Sequence, residues 1–291
     1  MTRQFSSKKP HYEYLRKKLG ARHKNLQSKF WEKHGESLKN LAVGSLGGLI
    51  LLSPPSQNLP LPNLISSKEG VLKGFDNNVL LASQLEEVVP KEMQPLSKDE
   101  ENKIVDILSK NFGFEVTSEL DGIRLNRNYG LIGAEQHLYR YPGDNLYAHA
   151  DNTSDWAKYG SSGIAPGLGA WGYFVSSKEE FTELDKQREK YYLAIQTYLS
   201  PGFAENVAKY RDFFKFRKML VVNPQTGQAV VAVIGDAGPA EWTGKHLGGS
   251  PEVMDILGLA QGPRKGPVLY FFINDPEDKI PLGPIKIRGE A

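Results

Sequence analysis

The stretch from Lys218 to Leu259, KMLVVNPQTGQAVVAVIGDAGPAEWTGKHLGGSPEVMDILGL, constrains the fold of this chain most tightly. Leu220-Val221-Val222 and Ala229 to Ile234 are β-branched runs suited to strands. Asn223 to Gly227 joins them as a hairpin turn, with Gly227 free to take positive φ. Gly235-Asp236-Ala237-Gly238-Pro239 then forms a tight loop that leaves a carboxylate at a strand end. Ser250 and Pro251 stand where an N-cap and a first helical residue belong, and Gly258 closes the short helix that buries Val253, Met254, Ile256 and Leu257. Val268 to Ile273, VLYFFI, has the continuous apolar character of a buried strand.

This ordered run resembles the double-psi β-barrels of rare lipoprotein A, the expansins and the family-75 chitosanases. The matching residues are Asp236, Gly238, Pro239, Ser250, Leu257 and Gly258. Gly169-Ala170-Trp171-Gly172-Tyr173 is similar to the glycine-rich stretch GGACGY of expansins, with Trp171 replacing the cysteine. The resemblance implies an α+β fold with a six-stranded double-psi-like barrel and polysaccharide as substrate. It places Asp236 in the active-site groove. The match stops short of a second catalytic group. Gly244-Lys245 stands where the chitosanases carry Gly-Glu, and Gly249 where rare lipoprotein A has an aspartate. The glutamate and histidine upstream of the hairpin in that protein also lack clear counterparts.

Taken from its start, the chain divides into five parts. Residues 1–39 form a basic arm: residues 1–40 hold eleven Lys or Arg against three acids, and a net +2 overall less this +8 leaves −6 for the remainder. Residues 40–56 enclose the uncharged run Leu41 to Leu52, too short for a comfortable membrane span of about twenty residues. Behind a positive region it fits a signal peptide or anchor, so a secreted or outer-face membrane-anchored protein is expected, with the membrane as partner through this segment. Residues 57–96 have the composition of a linker. Residues 97–117 are helical, with a capping box from Ser97 and Glu100, a stripe of Ile104, Ile107 and Leu108, and a stop at Gly113. Residues 118–291 hold the barrel.

Within that last part, Ile123 to Leu125 and Leu138 to Tyr141 alternate as strands, with turns at Asn126 to Gly130 and Pro142 to Asp144. A long helix is expected from Ser177, its apolar face running through Tyr191, Tyr192 and Ile195 to Leu199, and a second covers Glu205 to Phe214. The pair makes a helical insertion at about 177–216.

The absence of cysteine excludes disulfides, thiol nucleophiles, thiolate metal sites and a lipoprotein anchor. Phosphate-binding glycine loops and the GxSxG elbow are absent, and the acidic balance beyond residue 40 argues against nucleic acid as a partner.

Glycan hydrolysis needs one group to protonate the leaving oxygen and commonly a second carboxylate opposite it. Asp236 is the first candidate, its alternative role being to cap loop amides. His149 and Asp151 in the loop 147–174 are the candidate assistants, and Glu135 beside His137 is a further carboxylate. An H-x-D pair can act as acid or base, or hold zinc with a third ligand such as His246 or Asp236; two ligands fall short of the three or four zinc requires, so no metal or cofactor is expected. Trp171, Tyr173, Trp242 and His246 are the candidate substrate-binding residues, since aromatic faces stack on sugars. The expected activity is cleavage of β-linked amino-sugar glycans, peptidoglycan or chitosan; the rival is a non-catalytic expansin-like binding or wall-loosening module.

Overall fold

The computed structural model describes residues 77–288. The basic arm, the apolar run and residues 57–76 lie outside the described residues. Six strands close a mixed barrel: β4 (Tyr129–Ala134), β5 (Tyr192–Ile195), β6 (Lys218–Val222), β7 (Ala229–Ala237), β8 (Leu247–Gly249) and β9 (Lys265–Ile273). Around the ring, β9 pairs antiparallel with β4, β4 parallel with β8, β8 antiparallel with β5, β5 parallel with β7, and β6 antiparallel with both β7 and β9. Three shorter strands precede the barrel, β1 (Val116–Thr117), β2 (Glu119–Leu120) and β3 (Ile123–Arg124), and β10 (Gly283–Pro284) follows it. β1 extends the sheet beyond β9, and β10 pairs with β7.

Six α-helices accompany the strands among the described residues: α1 (Asn77–Glu86), α2 (Lys98–Phe112), α3 (Thr153–Tyr159), α4 (Glu183–Lys190), α5 (Val207–Phe214) and α6 (Pro251–Ile256).

The apolar continuity of β6, β7 and β9 follows from burial on both faces. Met219, Val221, Val230, Ala232, Ile234, Val268, Tyr270 and Phe272 join the inner core, with Phe213 and Phe214 of α5 and Val253 and Met254 of α6. The alternate residues Leu220, Val222, Val231, Leu269, Phe271 and Ile273 face outward, where Leu81 and Leu85 of α1 and Ile104, Leu108 and Phe112 of α2 cover them. A sheet covered on both sides has no polar face to alternate with.

The capping box of α2 is present in full, and Gly113 ends it at φ 72°. The hairpin turn also forms: the Asn223 side chain accepts from Gln225 N, and Gly227 takes φ 72° and donates to the Asn223 carbonyl. Ser250 caps α6 with Pro251 following, and Gly258 has φ 71°.

Four expectations are corrected. The helix from Ser177 is short: Thr182 caps α4 in a box with Asp185, and the helix stops at Lys190. Tyr192 to Ile195 is then an inner barrel strand, so the stretch 177–216 contributes wall as well as helices. A four-residue apolar run fits either element locally; pairing with β7 and β8 on both edges decides it. Leu138 to Tyr141 is no strand, being held by loop contacts such as Phe174 N to the Arg140 carbonyl. Tyr129 and Gly130 open β4 instead of closing a turn; β9 supplies their partners. The end of the expected linker forms α1, docked through Leu81 and Leu85 at helical spacing.

Candidate functional site

Strand register builds the first part of the site on the outside of the barrel. Asp236 of β7 lies opposite Ala194 of β5, Ala194 opposite Gly248 of β8, and Gly248 opposite Gly133 of β4. Registered partners share a face, so these four line up across the wall. The two glycines leave room there for side chains from neighbouring strands. A Cβ on Gly248 would fall 2.3 Å from Cγ and Oε1 of Glu135, and one on Gly133 would fall 2.3 Å from Cδ of Lys245. Glu135 and Lys245 therefore lie directly over bare backbone, joined by an ion pair of 2.5 Å. Asp236 and the Gly248 backbone under Glu135 are two strands apart on this wall.

The two carboxylates have opposite surroundings. Asp236 is half-buried, and its hydrogen bonds come from backbone: Ala170 N at 2.5 Å and Ala237 N at 2.8 Å, both to Oδ1. No cation pairs with it among the described residues. Burial pushes its carboxyl above the ordinary range, and the two amides only partly oppose this. Glu135 instead carries the ammonium of Lys245 against it. Gly169 packs so closely that an added Cβ would stand 3.2 Å from Asp236 Oδ1, so the glycine-rich loop closes onto this acid.

The other sequence candidates are spread over the same side and beyond it. Trp171 is half-buried and donates Nε1–H to the Ile234 carbonyl at 3.1 Å, with Arg211 over its ring. Tyr173 is exposed, and Trp242, on a short 3-10 turn, is 88% exposed. His246 receives Leu131 N–H at Nδ1 and lies 2.6 Å from Arg127 Nη1 through Nε2; burial and Arg127 lower its pKa. It lines a cleft of about 270 Å³ with Lys245, Arg127 and Gln196, whose Nε2 donates to the Pro239 carbonyl. Asp151 points to the surface and pairs with Lys186 and Lys190. Burial opposes its ionisation, but the lysines carry its pKa below the usual range.

His149 lies elsewhere, in a buried network. Its Nδ1 is 2.9 Å from Glu189 Oε2 and its Nε2 is 3.1 Å from Asp144 Oδ2. His137 Nδ1 stands 3.2 Å from the other Glu189 oxygen, which also accepts Leu138 N–H. Arg140 grips Asp144 through Nε and Nη2 at 2.8 and 2.7 Å. Burial favours neutral forms here, yet the hydrogen bonds prevail. Asp144 and Glu189 carry His149 up to about 9, His137 and His149 bring Glu189 down to about 2, and Arg140 and His149 hold Asp144 well below the carboxylate range. Arg140, Asp144 and Glu189 escaped the sequence reading because they sit in an expected strand, an expected turn and an expected helix. Only their convergence in space marks them, although a Glu on a helix face running into four apolar residues was a usable signal.

The fold and site thus define a closed six-stranded mixed β-barrel with two half-buried carboxylates on its outer wall and a buried histidine–carboxylate network. Comparison of the chain with protein-family models, with curated proteins and with solved structures finds no match in any of the three.

Proposed function

We propose that this protein is an exported, double-psi-type barrel that cleaves β-linked amino-sugar glycans of peptidoglycan or chitosan. The observation that carries the reading is the split between two carboxylates on one face. Asp236, buried without a cation, is the group that holds its proton and delivers it to the glycosidic oxygen. Glu135, paired with Lys245, is the base. Paired carboxylates with opposed environments are how one site supplies both an acid and a base. In an inverting reaction Glu135 would activate a water on the sugar face opposite the leaving oxygen that Asp236 protonates. The ordered resemblance around Asp236 and the basic arm followed by an apolar run support the substrate class and export. Asp151 is paired with two lysines and His149 is enclosed, so neither serves as Asp236's partner in this mechanism.

The test is reducing-end release from peptidoglycan and from chitosan by the wild type, Asp236→Asn and Glu135→Gln. Wild-type release should fall about 10²–10⁴-fold in each variant, the range for a lost general acid or base. Release that survives both substitutions removes these carboxylates from the chemistry.

The exposed Trp242 favours a second reading, a non-catalytic wall-binding module. Pull-down by either glycan without any bond cleavage, abolished in Trp242→Ala, would select it.

A further inference from the structure

We propose that His137, His149 and Glu189 form a binding site for a divalent transition-metal ion of the zinc class. One donor atom from each of the three residues lies within 4.8 Å of the other two, and all three residues are buried. The two histidines address Glu189 separately: Nδ1 of His137 faces Oε1 at 3.2 Å, and Nδ1 of His149 faces Oε2 at 2.9 Å. Ligands about 2.0–2.2 Å from a tetrahedral zinc lie roughly 3.3–3.6 Å apart, so each histidine–carboxylate separation is already near the spacing the ion requires. Two imidazoles with one carboxylate suit zinc and its neighbours better than magnesium or calcium, which favour oxygen alone.

The surroundings add independent support. A metal-bound histidine commonly gives its remaining ring nitrogen to a carboxylate that fixes the ring. His149 does this with Asp144, which Arg140 holds in turn by two side-chain hydrogen bonds. Beside the triad, a void of about 10 Å³ is lined by both His137 and His149, the size of one water. Glu252 is 5% exposed, and its Oε2 has no hydrogen-bond partner. It belongs to α6, whose capping residue Ser250 donates Oγ–H to the carbonyl of Lys190, the neighbour of Glu189.

The rival occupant of the same space is a proton, with His149 an imidazolium between Asp144 and Glu189. Chelator-treated full-length protein titrated with Zn²⁺ by calorimetry at neutral pH separates the two. One ion per chain, at micromolar affinity or tighter, is expected. Co²⁺ should give the visible absorption of a tetrahedral site. His137→Gln should weaken binding at least tenfold, and Asp144→Asn about 10–100-fold, as outer-shell substitutions do. No zinc binding overturns the proposal. Binding of unchanged affinity in His137→Gln also overturns it, since the ion is then held elsewhere in the chain. If His137→Gln does not fold, the imidazole NMR signals of the wild type decide. A Zn²⁺-dependent shift of His137 and His149 upholds the site, and unmoved signals refute it.

Discussion

Replacing Asp144 by asparagine tests how much of this fold rests on the buried ionic network. Its two oxygens accept from Arg140 N, Nε and Nη2, from Asn145 N and from His149 Nε2, at 2.7–3.1 Å. Arg140 and Asp144 side chains are 2% and 0% exposed, so water cannot replace a lost partner. Asparagine puts a donor where one accepting oxygen stood and removes the charge that offsets Arg140. Breaking a buried pair from one side costs about 3–5 kcal/mol, because the remaining charge stays uncompensated. For a body of this size about 1 kcal/mol corresponds to about 2–4 °C, so Tm should fall by about 6–20 °C. Thermal melts of chelator-treated protein measure this without any contribution from a bound ion. Asp151→Asn provides the control: its lysine pairs are at the surface, where such contacts contribute about 0–1 kcal/mol. A Tm for Asp144→Asn within about 2 °C of the wild type would refute the reasoning, because it would mean that water reaches Arg140.

Three further outcomes follow from particular residues. Gly227→Ala should cost at least about 1–2 kcal/mol in urea unfolding, the penalty of the left-handed region, and more because its Cβ would meet the Asn78 carbonyl oxygen at 2.0 Å. Glu252, pushed up to about 7 by burial and then by Glu189, binds its proton more tightly folded than unfolded. It therefore destabilises the fold progressively as pH rises from about 4.5 through about 7, so Glu252→Gln should raise Tm at pH 8 and leave it nearly unchanged at pH 4. Glycan cleavage should decline on its alkaline side as pH passes the raised pKa of Asp236, and a pH–rate profile with no such limb would remove Asp236 as the acid.

Residues 97–113, the hairpin 218–234, the helix from Ser250 and the strand 268–273 carried their structure locally, whereas the continuation of β7 to Ala237 and the strand Leu247–Gly249 came from pairing with β5 and β4. Capping groups, a positive-φ glycine and a long β-branched run each have one low-energy conformation, and tertiary contacts agreed with it. Asp236 at a strand end was legible for the same reason. Glu135 was visible only as a spare carboxylate. Its place over Gly248 depends on β4 and β8 pairing in parallel across more than a hundred residues of chain. Tyr192 to Ile195 shows the limit most plainly: four apolar residues after a helix continue that helix by periodicity, and two barrel edges convert them into wall.

By itself, then, the amino-acid order determined where chain direction changes and which runs must leave water, since those depend on torsional preference and hydrophobicity. The barrel's closure, the opposed environments of Asp236 and Glu135, and the meeting of His137, His149 and Glu189 were decided by tertiary structure alone. Each depends on distances between segments remote in sequence, and a side chain's charge state is set by what surrounds it in space.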